Sequence, residues 1–191
     1  MRRDKYLSAH EMQKIMEYAE RMSREMPNSR VRRLDWLCVD MALQTGLRVC
    51  ELAEIKVKDI DIERSSMWVW RKKKRCPTRD LLGISPSLLA HLKDHLEWLK
   101  GEPDDSIWAG TRGPWSRVGL QRSWRRTAWD CGFDASIHKA RHTLATHLLR
   151  QTGNLRMVQK QLGHSSPVVT ANMYADVPFE DMVEALKGVF G

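Results

Sequence analysis

A chain of 191 residues, 42% hydrophobic and 29% charged, has the balance of a globular protein long enough to bury a core, and a single domain over 1–191 is expected. Lys and Arg outnumber Asp and Glu by 32 to 24, a formal net charge of +8, which suits a polyanionic partner. No apolar run approaches the roughly 18 residues of a membrane span, and the opening MRRDKYLSAHE has no apolar stretch of a secretory signal. Cys38, Cys50, Cys76 and Cys131 are widely spaced and form no CxxC pair, which reads as reduced thiols in a cytoplasmic protein.

In chain order, Ser8-Ala9-His10-Glu11 has the pattern of a capping box. Met12, Ile15, Met16, Ala19 and Met22 then keep helical spacing, giving a helix over 8–25 closed by Pro27-Asn28. A second helix runs from near Val31 to Gly46, a residue type suited to a helix stop. A short helix follows over 48–55.

From Lys56 the pattern changes. Ile60 and Ile62 alternate with acids, and Arg64-Ser65-Ser66 reads as a turn. Met67-Trp68-Val69-Trp70 reads as a strand whose two tryptophans share one face and pack there. A basic loop over 71–75 leads to Pro77 and a strand near 81–84. Together these give a small three-stranded antiparallel sheet on a mainly α-helical body.

Ser85-Pro86 opens the next helix, with Leu88, Leu89, Leu92, Leu96 and Leu99 as its buried face and Gly101 as its stop. Residues 101–115 form a loop, with Ile107-Trp108 a short strand. A helix from Ser116 to Cys131 carries Arg117, Arg122, Arg125 and Arg126 among Leu120, Trp124 and Trp129. Helices over 138–151, 155–162 and 167–174 follow, and Pro178 opens a last one with Phe179, Met182, Val183, Leu186 and Phe190 on one stripe.

The side chains suited to chemistry cluster in a few places. His138 and Arg141 stand three apart and share a helix face. Arg48 follows a helix stop, with Glu51 three residues on. His164 and Tyr174 lie near the C-terminus, and Lys72, Lys73 and Lys74 sit in the basic loop. Attack on a phosphodiester needs a nucleophile, charge on the non-bridging oxygens and a proton for the leaving oxygen. Arginine forks bind phosphate oxygens and keep their charge. A tyrosine ionises near pH 10, so it needs a base or positive potential, which histidines and arginines supply. His138 and His142 also stand at a spacing that metal sites use, but no HExxH glutamate and no spaced cysteine accompany them.

These motifs resemble those of the tyrosine recombinases, or phage-type integrases. Thr45-Gly46-Leu47-Arg48-Val49-Cys50-Glu51-Leu52 resembles the family's first-arginine motif, with Glu51 as the supporting acid. His138-Lys139-Ala140-Arg141-His142-Thr143 resembles the HxxRH box, and Leu162-Gly163-His164-Ser165 the LGHS box. Tyr174, ten residues past His164 where nine is commoner, takes the place of the nucleophile. The family's lysine stands five before a basic residue that opens the third strand; Arg79 as that residue points to Lys74.

The resemblance implies the family's DNA breaking-rejoining catalytic-domain fold, with Arg48, Lys74, His138, Arg141, His164 and Tyr174 as the catalytic set. It implies no metal and no cofactor. Double-stranded DNA is the implied partner, with a homo-tetramer on paired sites, a monomer in the absence of DNA, and no membrane involved. Lys72, Lys73, Arg75, Arg122, Arg125, Arg126 and Lys139 are the expected further DNA contacts. The chain is expected to begin at the catalytic domain, without the helical domain that precedes it in most members. A type IB topoisomerase-like enzyme and a non-catalytic DNA-binding regulator are the alternatives.

Overall fold

The computed structural model of the protein describes residues 6–71 and 77–163. Lys72, Lys73, Lys74, Arg75, His164, Tyr174 and the helices expected over 167–174 and 178–190 lie outside the described residues.

The body is helical, as expected. Helix α1 (Ala9–Glu25) starts on the expected capping box: Glu11 N–H donates to Ser8 Oγ at 3.2 Å, and Ser8 N–H to Glu11 Oε2 at 2.7 Å. Helix α2 (Arg30–Thr45) is capped by Ser29 and ends on Gly46 in the left-handed conformation, φ 62°. Leu34, Leu37, Cys38, Val39 and Met41 are fully buried, so α2 is apolar on most of its circumference. A helix buried on nearly all sides belongs in the middle, and α1, α4 (Pro86–Leu99), α5 (Arg117–Asp130) and α6 (Ile137–Thr152) pack around it. Each fully buried leucine stabilises the fold by about 1.5–3 kcal/mol relative to exposure.

The expected short helix over 48–55 shrinks to α3 (Val49–Leu52), with Arg48 as its N-cap residue. The three-stranded sheet forms in the order β1 (Ile60–Asp61), β2 (Ser66–Arg71), β3 (Thr78–Gly83), all antiparallel. Strand β3 starts earlier than the expected 81–84, because Trp70 pairs with Arg79 and Arg71 with Thr78. The strand β2 likewise runs one residue further, and Arg71 belongs to it rather than to the basic loop. Alternation puts Met67, Val69 and Arg71 inside. Trp68 and Trp70 share the other face, as expected, but they do not pack into a core: they are 38% and 47% exposed. Arg79 lies over the Trp68 ring at 5.0 Å and donates to Asp59.

Two further expectations change. The buried face of α4 is Leu88, His91, Leu92 and His95, and Lys100 in the left-handed conformation, rather than Gly101, caps it. Leu89, Leu96 and Leu99 are only partly buried because the helix turns its histidines toward α2 and the loop. Ile107 and Trp108 are fully buried but form a turn; the strands are β4 (Ala109–Gly110) and β5 (Gly113–Pro114). Trp108 Nε1 is spent on Leu52 O at the end of α3. Helix α7 (Leu155–Leu162) has the expected bounds. Among the described residues no helix is long and apolar enough to cross a membrane, and Cys38, Cys50 and Cys131 are free thiols.

The histidine that replaces a leucine on the buried face of α4 has a measurable consequence. His95 hydrogen-bonds Ile107 O through Nε2 at 2.8 Å, and burial pushes it down from 6.5 to about 4. The unfolded chain then binds a proton that the folded chain refuses, so stability is full above about pH 6.5 and falls as pH drops toward 4. The expected loss is about 3 kcal/mol for this group. Urea melts between pH 7 and pH 4 should show it, and His95→Gln should flatten the dependence; an unchanged slope in that variant would remove His95 as the cause.

Candidate active site

Arg48 and Arg141 are 93 residues apart in sequence, and the fold brings them to one place. The chain leaves α2 at Gly46, turns, and enters α3 with Arg48 at its N-cap. The turn is tight: a Cβ on Gly46 would lie 2.7 Å from Leu162 Cδ2 and 2.9 Å from Leu144 Cδ2. Only glycine accepts both the left-handed backbone and that approach.

Arg141 projects from α6 into this corner and is 8% exposed. Its Nη1 donates to Gly46 O at 2.7 Å and its Nη2 to Leu162 O at 2.8 Å. Both acceptors sit at the C-terminal ends of helices, α2 and α7, where unpaired carbonyls and the negative pole of the helix favour a cation. Arg141 thus fills two helix ends at once and fixes α7 against α2.

Glu51, buried in α3, holds the cluster's negative charge. Its Oε1 accepts from Arg48 Nη1 at 2.8 Å, and its Oε2 accepts the Arg48 backbone N–H at 2.8 Å. A third arginine completes the arrangement. Arg71, with a side chain 1% exposed, donates from Nη1 to Glu51 Oε2 at 3.0 Å, from Nε to Asp80 Oδ2 at 3.3 Å and from Nη2 to Gln161 O at 2.8 Å. Arg71 had no place among the expected site residues. The signal was available: continuing the Met67, Val69 alternation by two residues puts it on the inward face.

Among the described residues, three guanidiniums face two carboxylates in the corner, and only Glu51 of the two is fully buried. Burial pushes the Arg141 guanidinium down to about 10, the Arg48 charge pushes the same way, and Glu51 opposes. Arg141 is still a cation at neutral pH, held where an added anion would be stabilised by more than one arginine. A phosphate diester, and still more the doubly charged state reached when an oxyanion attacks it, is such an anion.

The other expected residues divide. His138 lies on the first turn of α6, exposed, one turn before Arg141. Lys139 is partly buried and close enough to α1 for its charge to reinforce the backbone hydrogen bond from Ser8 that holds the Glu11 carboxyl below its ordinary value. Arg122 and Arg125 are exposed on α5 and, with Arg126 and Trp129, line a shallow groove. Arg126 has an internal partner, Asp35, which also accepts from Ser123 Oγ at 2.6 Å. His164 follows directly on Gly163, the left-handed cap of α7.

Comparison with known proteins identifies the family and the fold. The Phage integrase family model matches residues 5–181. Tyrosine recombinase XerC of Shewanella amazonensis is 30% identical over 159 residues, which cover 81% of this chain and 52% of that protein. Tyrosine recombinase XerA of Pyrococcus furiosus is 29% identical over 191 residues, covering 96% of this chain and 61% of that protein. This chain therefore spans between half and two thirds of their length. The crystal structure of XerA recombinase superposes with a TM-score of 0.78 at 23% identity, over 97% of this chain and 63% of that one, which shows the same fold. A match over nearly the whole sequence, joined to a buried corner that gathers Arg48 and Arg141, places the chain in the phage integrase family.

Proposed function

We propose that this chain carries the catalytic machinery of a site-specific DNA recombinase. The observation that supports it most is the meeting of Arg48 and Arg141 in one corner, with more positive than negative charge among the described residues and two helix ends holding the geometry. Tyr174 Oη attacks the scissile phosphate, the P–O5′ bond breaks, and a 3′-phosphotyrosine forms. The tyrosine proton passes to a base, for which His138 and His164 are the candidates, and Lys74 supplies a proton to the departing 5′ oxygen. The 5′-hydroxyl of a partner strand later reverses the step. The bond energy stays in the phosphotyrosine, so rejoining needs no other energy source. Arg48 and Arg141 stabilise the non-bridging oxygens in both directions. The active assembly is a homo-tetramer on paired duplex sites, in the cytoplasm at the nucleoid.

The test is a nicked duplex bearing the cognate site, from which the short fragment with the newly freed 5′-hydroxyl diffuses away after cleavage. A protein–DNA adduct that survives denaturant, and strand exchange with an intact duplex, are the expected results. Relaxation of supercoiled plasmid with no exchange would indicate the topoisomerase-like alternative; binding without any adduct would indicate a regulator.

Binding should also depend steeply on salt. Each phosphate neutralised contributes a slope of about −0.9 in log K against log salt on duplex DNA. With Arg122 and Arg125 exposed on α5, replacing both by Ala should lower the slope by about 2. A slope unchanged by the double replacement would take α5 out of the DNA interface.

A further inference from the structure

Arg71 is the cation the recombinase chemistry does not use. All the family boxes named above leave it out, and its side chain is too buried to serve as a surface contact. Yet it joins three separate elements. Through Nη1 it reaches Glu51 of α3, through Nε Asp80 of β3, and through Nη2 the Gln161 carbonyl in the last turn of α7. Its geometry is set by the planar fork, which a lysine does not reproduce.

Two features make this more than a buried ion pair. The first is that Glu51 Oε2 accepts from both Arg71 and the Arg48 backbone, while Oε1 holds the Arg48 side chain. Whatever fixes Glu51 therefore fixes Arg48. The second is at Gly163. A Cβ there would lie 2.5 Å from Arg71 Nε and 2.7 Å from its Cζ, and the backbone is left-handed at φ 65°. The guanidinium occupies the space a side chain would need, one residue before His164. The two terminal carbonyls of α7 are shared out: Gln161 to Arg71, Leu162 to Arg141.

We infer that Arg71 is a positioning residue, a buried guanidinium that locks Glu51, and through it Arg48, to the C-terminal end of α7. It keeps the first arginine and the C-terminal end of α7, up to Gly163, in one geometry. Among the described residues it acts on the site through Glu51. The inference rests on the recombinase reading for its catalytic consequence and on the hydrogen bonds alone for the lock.

The experiment uses the full chain and the Arg71→Lys variant. One arm measures single-turnover cleavage of the nicked duplex at saturating protein, beside DNA affinity. Misplacement of a catalytic group by about 1 Å costs about 10²-fold in rate, so the variant should cleave at least about tenfold more slowly with affinity nearly unchanged. The second arm follows guanidinium protons by NMR. In the parent, the Arg48, Arg71 and α7 amide protons should exchange in one common opening, and in Arg71→Lys the Arg48 protons should lose protection. Cleavage at the parent rate, or a rate loss that tracks affinity loss, overturns the inference and leaves the recombinase reading standing. A parent that forms no adduct removes the recombinase reading instead, and the exchange arm then judges the lock alone. If the variant does not fold, the parent decides: separate openings for Arg48 and Arg71 contradict the lock.

Discussion

Arg141→Ala is expected to slow cleavage at saturating DNA by about 10²–10³-fold, the usual loss for one donor to a developing oxyanion. It should also destabilise the fold. Gly46 O and Leu162 O lose their partner, and each buried acceptor left unsatisfied costs about 1–3 kcal/mol. Relief of repulsion offsets part of this, because the neighbouring Arg48 and Arg71 charges disfavour the Arg141 cation. Arg141→Lys separates the two effects. It keeps a charge near the corner but does not bridge two helix ends with one planar group. The lysine variant should therefore cleave faster than the alanine variant while α7 still loosens. Urea denaturation and single-turnover cleavage, read on the same preparations, give both quantities. Alanine cleaving at the parent rate would remove Arg141 from the site.

Tyr174→Phe is expected to abolish the covalent adduct and leave DNA affinity nearly unchanged, since only a hydroxyl is lost and phosphate contacts come from other side chains. The chain has three tyrosines: Tyr6, Tyr18 and Tyr174. Tyr18 is a poor nucleophile, because burial and its hydrogen bond to Asp130 push its hydroxyl above the ordinary value. Tyr6 carries Arg150 over its ring at 5.8 Å, on the α6 side of α1. Filter binding and denaturing gels on the Phe variant check both halves of the expectation. An adduct that persists in Tyr174→Phe assigns the attack elsewhere.

Much of this architecture was legible because single residues carry it. Ser8 with Glu11, Ser85 with Pro86, and Gly46 each mark a helix boundary by a local hydrogen bond or a backbone conformation, and local signals need no tertiary information. The pairing of Arg48 with Glu51 is local too, a reach of three residues. What escaped depends on partners far away in sequence. Arg71 is adjacent to a run of lysines, so its composition suggests a solvated loop; Glu51, 20 residues back, Asp80, 9 residues on, and Gln161, 90 residues on, draw it inward. His91 and His95 displaced the outer leucines of α4 from the buried face for a similar reason. Asp40 of α2 accepts His91 at 2.7 Å and Ile107 O takes His95, and neither partner is visible from the spacing of leucines. Trp68 and Trp70 were read correctly as one face, but which face meets the core is decided by what the sheet packs on.

Tyr174 becomes joined to DNA in the proposed reaction, and the adduct itself reports it. The nicked duplex is incubated with the parent chain, the adduct is isolated under denaturing conditions, and trypsin and nuclease reduce it to a peptide bearing a nucleotide. Cleavage after Lys160 and Lys187 yields a peptide over 161–187 that holds one tyrosine, Tyr174. This peptide is expected to carry the added 3′-phosphonucleotide mass, and fragmentation to place it on Tyr174. The added mass on a peptide containing Tyr6 or Tyr18, or on a serine or histidine of 161–187, would contradict it.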